Sequence, residues 1–169
     1  RARWDAICGA VELPAPTDDR YALAHRELRA TLAHALYRLN LYPNSQSENT
    51  GTAAAPDWKY ASPVNAKTGS ATDTVTNAQV NAGRIYVNNG FWDTYRTVWP
   101  LYSFLYPDFA KDLVNGFVEQ YRAGGWIARW SSPGYANLMT GTSSDASFAE
   151  AYVAGSLPTD LALEAYDAA

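Results

Sequence analysis

The sequence predicts an all-α fold, part of a helical toroid in which an inner ring of helices is backed by an outer one. A long loop or small β-hairpin excursion over about residues 44–90 interrupts it. Three observations carry this. Apolar residues recur at three- and four-residue spacing in several segments, polar irregular stretches separate them, and only brief pieces read as strands.

The first periodic segment follows Asp18-Asp19, where Tyr21, Ala24, Leu28, Leu32, Ala35, Leu36 and Leu39 fall at helical spacing and the arginines elsewhere. It predicts an amphipathic helix that ends before Pro43, with the two aspartates capping its start. His25 and His34 are nine positions apart on it, half a turn out of phase at about 100° per residue, so they cannot share a metal. From Asn44 to about Ala82 the chain is rich in Ser, Thr, Asn, Gly and Ala, with strand-like pieces at Trp58-Lys59-Tyr60 and Arg84-Ile85-Tyr86-Val87. Loops of this length tend to border functional sites; the competing reading is a linker between domains.

Asn88-Asn89-Gly90 predicts a turn, after which Trp92, Tyr95, Trp99, Tyr102 and Tyr106 follow at helical spacing. Pro100 lies inside this run and removes a backbone donor, so a kink or a break into two helices is expected. Asp108 is then expected to cap a helix whose face is Phe109, Leu113, Phe117 and Tyr121, stopped by Gly124-Gly125. Residues 126–144 read as irregular. A helix follows from about Ala146 to Ala154, broken at Gly155, and Thr159-Asp160 opens a last one.

Apolar residues make up 47% and charged residues 18% of the 169, enough for one globular unit or part of one, and too apolar for a disordered tail. The net charge is −4 with dispersed arginines, which argues against nucleic acid. One Cys and two His make neither a zinc set nor a disulfide framework, and Cys8 is expected to be a small buried apolar residue. No apolar run approaches the roughly 20 residues of a membrane span, so a soluble protein with no membrane partner is expected. The chain begins at Arg1 with no Met or signal sequence, so its natural N-terminus is expected to lie upstream. Aromatic content of 14% fits either sugar stacking or helical core filling.

Trp92-Asp93-Thr94-Tyr95-Arg96 concentrates the chemistry. At a helix start, the ionised Asp93 carboxylate has two oxygens that can accept from adjacent sugar hydroxyls, with Trp92 as stacking face. Equally, Asp93 paired with Arg96 three residues on is an ordinary helix-stabilising arrangement. Thr142, Ser143, Ser144 and Asp145 either line a pocket or cap the following helix, the second being the simpler role.

The run Gly90-Phe91-Trp92-Asp93-Thr94-Tyr95-Arg96-Thr97-Val98-Trp99-Pro100-Leu101-Tyr102 resembles the characteristic segment of glycoside hydrolase family 92. Thr31 to Arg38 followed by Pro43 is similar to that family's helix before its long loop. Gly124 to Trp130, Met139 to Asp145 and Phe148 to Gly155 resemble its Gly-rich turn and following helix. Glu150 stands where Asp is usual and Ala154 where Lys is usual.

The resemblance implies an (α/α)6 barrel, of which residues 1–169 form roughly half as a single partial domain. It implies calcium-dependent, exo-acting, inverting hydrolysis of terminal α-mannosides of N-glycans or mannans by a secreted, cell-surface or periplasmic enzyme. Inversion needs an acid and a base roughly 6.5 to 9.5 Å apart. In this family those carboxylates and the calcium ligands come from outside the present segment, so no catalytic or metal residue is assigned. The segment alone is expected to be inactive and to expose apolar surface that meets the remainder of its own catalytic domain. Trp92 and Asp93 are carried over as contacts to the terminal mannose of a glycan substrate, with Arg96 as the partner that orients Asp93. Arg129 and Trp130 are further substrate-contact candidates that could instead form a structural stack. The alternatives are a non-catalytic carbohydrate-binding module and another helical-toroid glycosidase, for example one acting on glucosides.

Overall fold

A computed structural model describes all residues, Arg1–Ala169, and divides into two compact units, Arg1–Tyr42 and Pro43–Ala169. The N-terminal unit holds α1 (Ala2–Cys8), a 3-10 turn at Asp19–Tyr21 and α2 (Ala22–Leu39). The two aspartates do not cap α2, whose N-cap is Tyr21 without a side-chain bond; Asp18 instead caps the 3-10 turn, its Oδ1 accepting from the Arg20 N–H at 2.8 Å, and Asp19 lies inside that turn. The α2 helix forms where the periodicity places it, yet Leu36 is its only buried residue. No helix was expected at α1, and it contains no buried residue, so Cys8 is exposed rather than part of a core.

The second unit begins with the excursion, which forms short strands rather than a plain loop. These are β1 (Asn44–Ser45), β2 (Glu48–Asn49), β3 (Trp58–Ala61), β4 (Val80–Ala82), β5 (Tyr86–Val87) and β6 (Asn89–Gly90). β1 pairs antiparallel with β5, and β2, β3 and β4 form an antiparallel sheet in that order. The strand-like piece at Trp58-Lys59-Tyr60 is a strand, that at Arg84-Ile85-Tyr86-Val87 is one only over Tyr86–Val87, and Tyr60, Ile85 and Val87 form a small buried cluster. The expected turn narrows to Asn88, at φ 61°, a conformation Asn tolerates; Asn89 and Gly90 are already paired as β6.

Next come α3 (Phe91–Thr94), α4 (Val98–Leu105) and α5 (Pro107–Gly124). The break expected at Pro100 lies before it, at residues 95–97, and Pro100 becomes the third residue of α4, where a missing N–H leaves no helical carbonyl unpaired. Asp108 does not cap α5. Pro107 takes the first helical position behind Tyr106, which puts Asp108 inside the first turn, 3.6 Å from Lys111. Gly125, at φ 81°, ends the helix in the left-handed conformation that glycine adopts at no steric cost.

The stretch expected to be irregular contains a hairpin, β7 (Trp130–Ser131) with β8 (Tyr135–Ala136), and β6 joins it antiparallel to β7. Two helices complete the unit, α6 (Ser143–Val153), starting three residues earlier than expected, and α7 (Thr159–Ala168). The core sits where α4, α5 and α6 meet. Phe91, Trp99, Phe117 and Phe148 cluster there, with ring centroids 4.9 Å apart for Phe91 and Phe117 and 5.6 Å for Phe91 and Trp99. The fold is thus predominantly helical with three small sheets, a correction to all-α. No helix is long and apolar enough to cross a membrane.

Candidate functional site

The carbohydrate-contact candidates fall in two groups, Trp92, Asp93 and Arg96 in and just after α3, and Arg129 and Trp130 at the start of β7, linked through the pairing of β6 with β7. Gly90 ends β6 opposite Trp130 of β7, and a Cβ on Gly90 would overlap the Trp130 indole, so the ring packs against bare backbone. β7 is held from behind by the fully buried Gln120 of α5. Its Nε2 donates to the Tyr86 carbonyl at 2.7 Å and to Ser131 Oγ at 3.0 Å, and Ser131 in turn donates to the Pro133 carbonyl at 2.8 Å. Burial makes each of these bonds costly to lose, so the strand carrying Trp130 is fixed to the helical core.

The first turn of α3 then separates two neighbouring rings. Phe91 points into the aromatic core at 1% exposure, while Trp92 is 36% exposed and Asp93 lies on the surface beside it. Thr94 Oγ1 donates to the Gly90 carbonyl at 2.9 Å and lies 3.3 Å from Asn89 Oδ1, which ties the short helix back to β6. Phe91 as an internal anchor and Thr94 as an external tie explain why only four residues hold a helical turn here.

Arg96 does not orient Asp93. The ion pairs of the structure do not include these two residues. Instead the Arg96 guanidinium stacks 4.4 Å from the Trp92 ring centroid and 4.5 Å from that of Tyr95, and Nη1 donates to the Trp92 carbonyl. The helix ends at Thr94, so the spacing of three that would pair Asp93 with Arg96 on a continuous helix is not maintained. Asp93 accepts no hydrogen bond from any side chain and stays available to a ligand. Arg129 is exposed on the bend leading into β7, and Trp130 is half-buried.

Around Thr142 the polar cluster closes on itself. Thr142 Oγ1 donates to Asp145 Oδ2 at 2.6 Å, and no side chain caps the α6 backbone. The expected capping is therefore not made by these side chains. Asp145 instead lines a largely apolar cavity of about 790 Å³ between α6 and α7, with Phe148, Tyr152, Leu163 and Tyr166. None of Trp92, Asp93, Arg96, Arg129 and Trp130 borders it.

The family model for the glycosyl hydrolase family 92 catalytic domain matches residues 1–169. The chain belongs to glycosyl hydrolase family 92. Among solved structures, a family 92 inverting mannosidase from Bacteroides thetaiotaomicron superposes with a TM-score of 0.71 at 29% identity, covering 97% of this chain and 19% of that one. The family 92 chain described here therefore spans about 19% of that mannosidase's length. No curated protein matches it.

Two features of this family 92 segment escaped the sequence reading. The contact between Gly90 and Trp130 joins residues 40 positions apart, and in sequence a glycine before a helix signals only a turn. The Arg96 clamp had a visible signal, because Trp92 and Arg96 are four apart, but the opposite charges of Asp93 and Arg96 drew the assignment instead.

Proposed function

We propose that this chain is part of an inverting α-mannosidase acting on terminal α-mannosides of N-glycans or mannans, and that it contributes sugar contacts rather than the acid and base. The single observation that supports this reading is the exposed, unpaired Asp93 carboxylate in the first turn of α3 beside the part-exposed Trp92 indole. An ionised carboxylate accepts from vicinal hydroxyls in charge-assisted bonds, and an indole covers the apolar C–H face of a sugar ring. Trp130 enters the same reading as the partner of Gly90 across the β6–β7 pair, and Arg129 as the exposed residue just before it in the chain.

The acid and base belong to other segments of the complete catalytic domain, an (α/α)6 barrel of which this is a part. The apolar groove of α6 and α7, with Leu163 63% and Tyr166 81% exposed, packs against that remainder. Family membership implies calcium. No group of three or more His, Cys, Asp or Glu in this structure could hold a metal ion, so these residues do not fit as its site, and the calcium ligands belong to the rest of the catalytic domain. A secreted, cell-surface or periplasmic location accords with an extracellular glycan substrate.

Asp93→Asn in the complete enzyme tests the reading. The substitution keeps the shape and removes the charge, so kcat/KM on an aryl α-mannoside is expected to fall by about 2 kcal/mol of transition-state stabilisation. Wild-type kinetics would leave Asp93 as a helix-terminal charge and nothing more.

A further inference from the structure

Arg96 makes three attachments, and two of them fall on Trp92. The guanidinium lies 4.4 Å from the Trp92 ring centroid, its Nη1 donates to the Trp92 carbonyl, and the Tyr95 ring lies 4.5 Å away. Asp93, next in sequence to Trp92, is left out of this arrangement. A planar guanidinium is suited to such a role because it stacks on a ring while its edge still donates hydrogen bonds.

We propose that Arg96 is a positioning residue that acts through the Trp92 ring. It covers one face of the indole and fixes the ring plane, which leaves the opposite face for the C–H face of a sugar and the Asp93 carboxylate free for its hydroxyls. The inference rests on the reading of Trp92 and Asp93 as sugar contacts. The competing account is that Arg96 merely caps the carbonyl end of α3. The two accounts separate cleanly, because Trp92→Ala removes the ring and keeps the carbonyl.

The test is a double-mutant cycle in the complete enzyme: Trp92→Ala, Arg96→Ala and both together, with Arg96→Lys as the conservative variant. For each, kcat and KM on 4-nitrophenyl α-mannoside are measured alongside the melting temperature. Positioning through the ring predicts that Arg96→Ala raises KM roughly threefold to tenfold with little change in kcat. In the Trp92→Ala background the same change adds nothing. Arg96→Lys recovers part of the loss, since an ammonium stacks on one ring but cannot span two rings and a carbonyl.

An equal loss from Arg96→Ala in both backgrounds would overturn the proposal and assign Arg96 to the backbone cap. Impaired Trp92→Ala together with a wild-type KM for Arg96→Ala would overturn the proposal alone and leave the sugar-contact reading standing. Wild-type kinetics for both Trp92→Ala and Asp93→Asn would overturn the sugar-contact reading itself, and the role of Arg96 with it.

Discussion

Helices α2 and α5 are both 18 residues long, and each carries apolar residues at helical spacing. They end up in opposite situations. In α5, Ala110, Leu113, Val114, Gly116, Phe117, Val118 and Gln120 are buried, against Leu36 alone in α2. The difference lies in what surrounds them. α5 meets α4, α6, α7 and β5, whereas α2 meets α1 and the 3-10 turn within its own unit. Periodicity decides that a segment is helical and which face is apolar, but burial requires a second surface to meet that face.

Substitution of the central apolar residue in each helix gives the largest contrast. Phe117 is fully buried and packs edge-on against Phe91, so Phe117→Ala is expected to lower stability by about 3–5 kcal/mol in denaturant unfolding. Leu28 is 54% exposed, and Leu28→Ala should stay within about 0.5 kcal/mol of wild type. Comparable losses at the two positions would mean that α2 buries its face as fully as α5 does.

A smaller effect reverses the usual sign of helix propensity. Alanine normally stabilises a helix interior by about 1 kcal/mol over glycine. At Gly116 in α5 a Cβ would overlap the Tyr86 ring and crowd the Tyr86 backbone nitrogen at 3.2 Å, so Gly116→Ala is expected to cost about 1–3 kcal/mol. In α2, Ala30 is exposed, and Ala30→Gly should show the ordinary propensity loss of about 1 kcal/mol. A melting temperature raised by Gly116→Ala would show that Tyr86 yields, and that the close packing of β5 on α5 is loose.

The same contrast explains how much of the molecule was legible beforehand. Every long helix was readable, because its signal is local: period, proline and glycine punctuation. The strands at Trp58 and Tyr86 were readable for the same reason, from short β-branched and aromatic runs. The β6–β7 pair was not, since it joins residues 40 apart through two-residue strands too short to show alternation. Of the candidate site, the residue types and the place of Trp92 and Asp93 at a helix start were legible. The partner of Arg96 was legible only in part: Trp92 stands four residues before it, but the choice of Trp92 over Asp93 depends on α3 stopping at Thr94, which no propensity in Trp92-Asp93-Thr94-Tyr95-Arg96 dictates.

Charge pairing supplies the smallest and most selective test of the difference between the two helices. Near α2, Arg20 bonds Asp18 two residues away, and that pair holds the Asp18 carboxyl below its ordinary range while joining no two helices. At the end of α5, Arg122 bonds Glu164 of α7, 42 residues on, with Nε to Oε1 at 2.6 Å, and also pairs with Glu119. Hydrogen bonding to Arg122 lowers the Glu164 carboxyl below its ordinary value in the folded state. A lowered folded-state pKa means that this contribution is complete above the unfolded carboxyl's pKa and is lost as pH falls through the lower folded one. Both side chains remain more than a third exposed, so solvent screening holds the effect to under about 1 kcal/mol. Stability measured across the acid range should therefore fall less steeply in Glu164→Gln than in wild type, with the two curves converging at low pH where Glu164 is protonated in both states. Parallel curves for wild type and Glu164→Gln would show that the α5–α7 bond forms without stabilising the packing of α5 on α7.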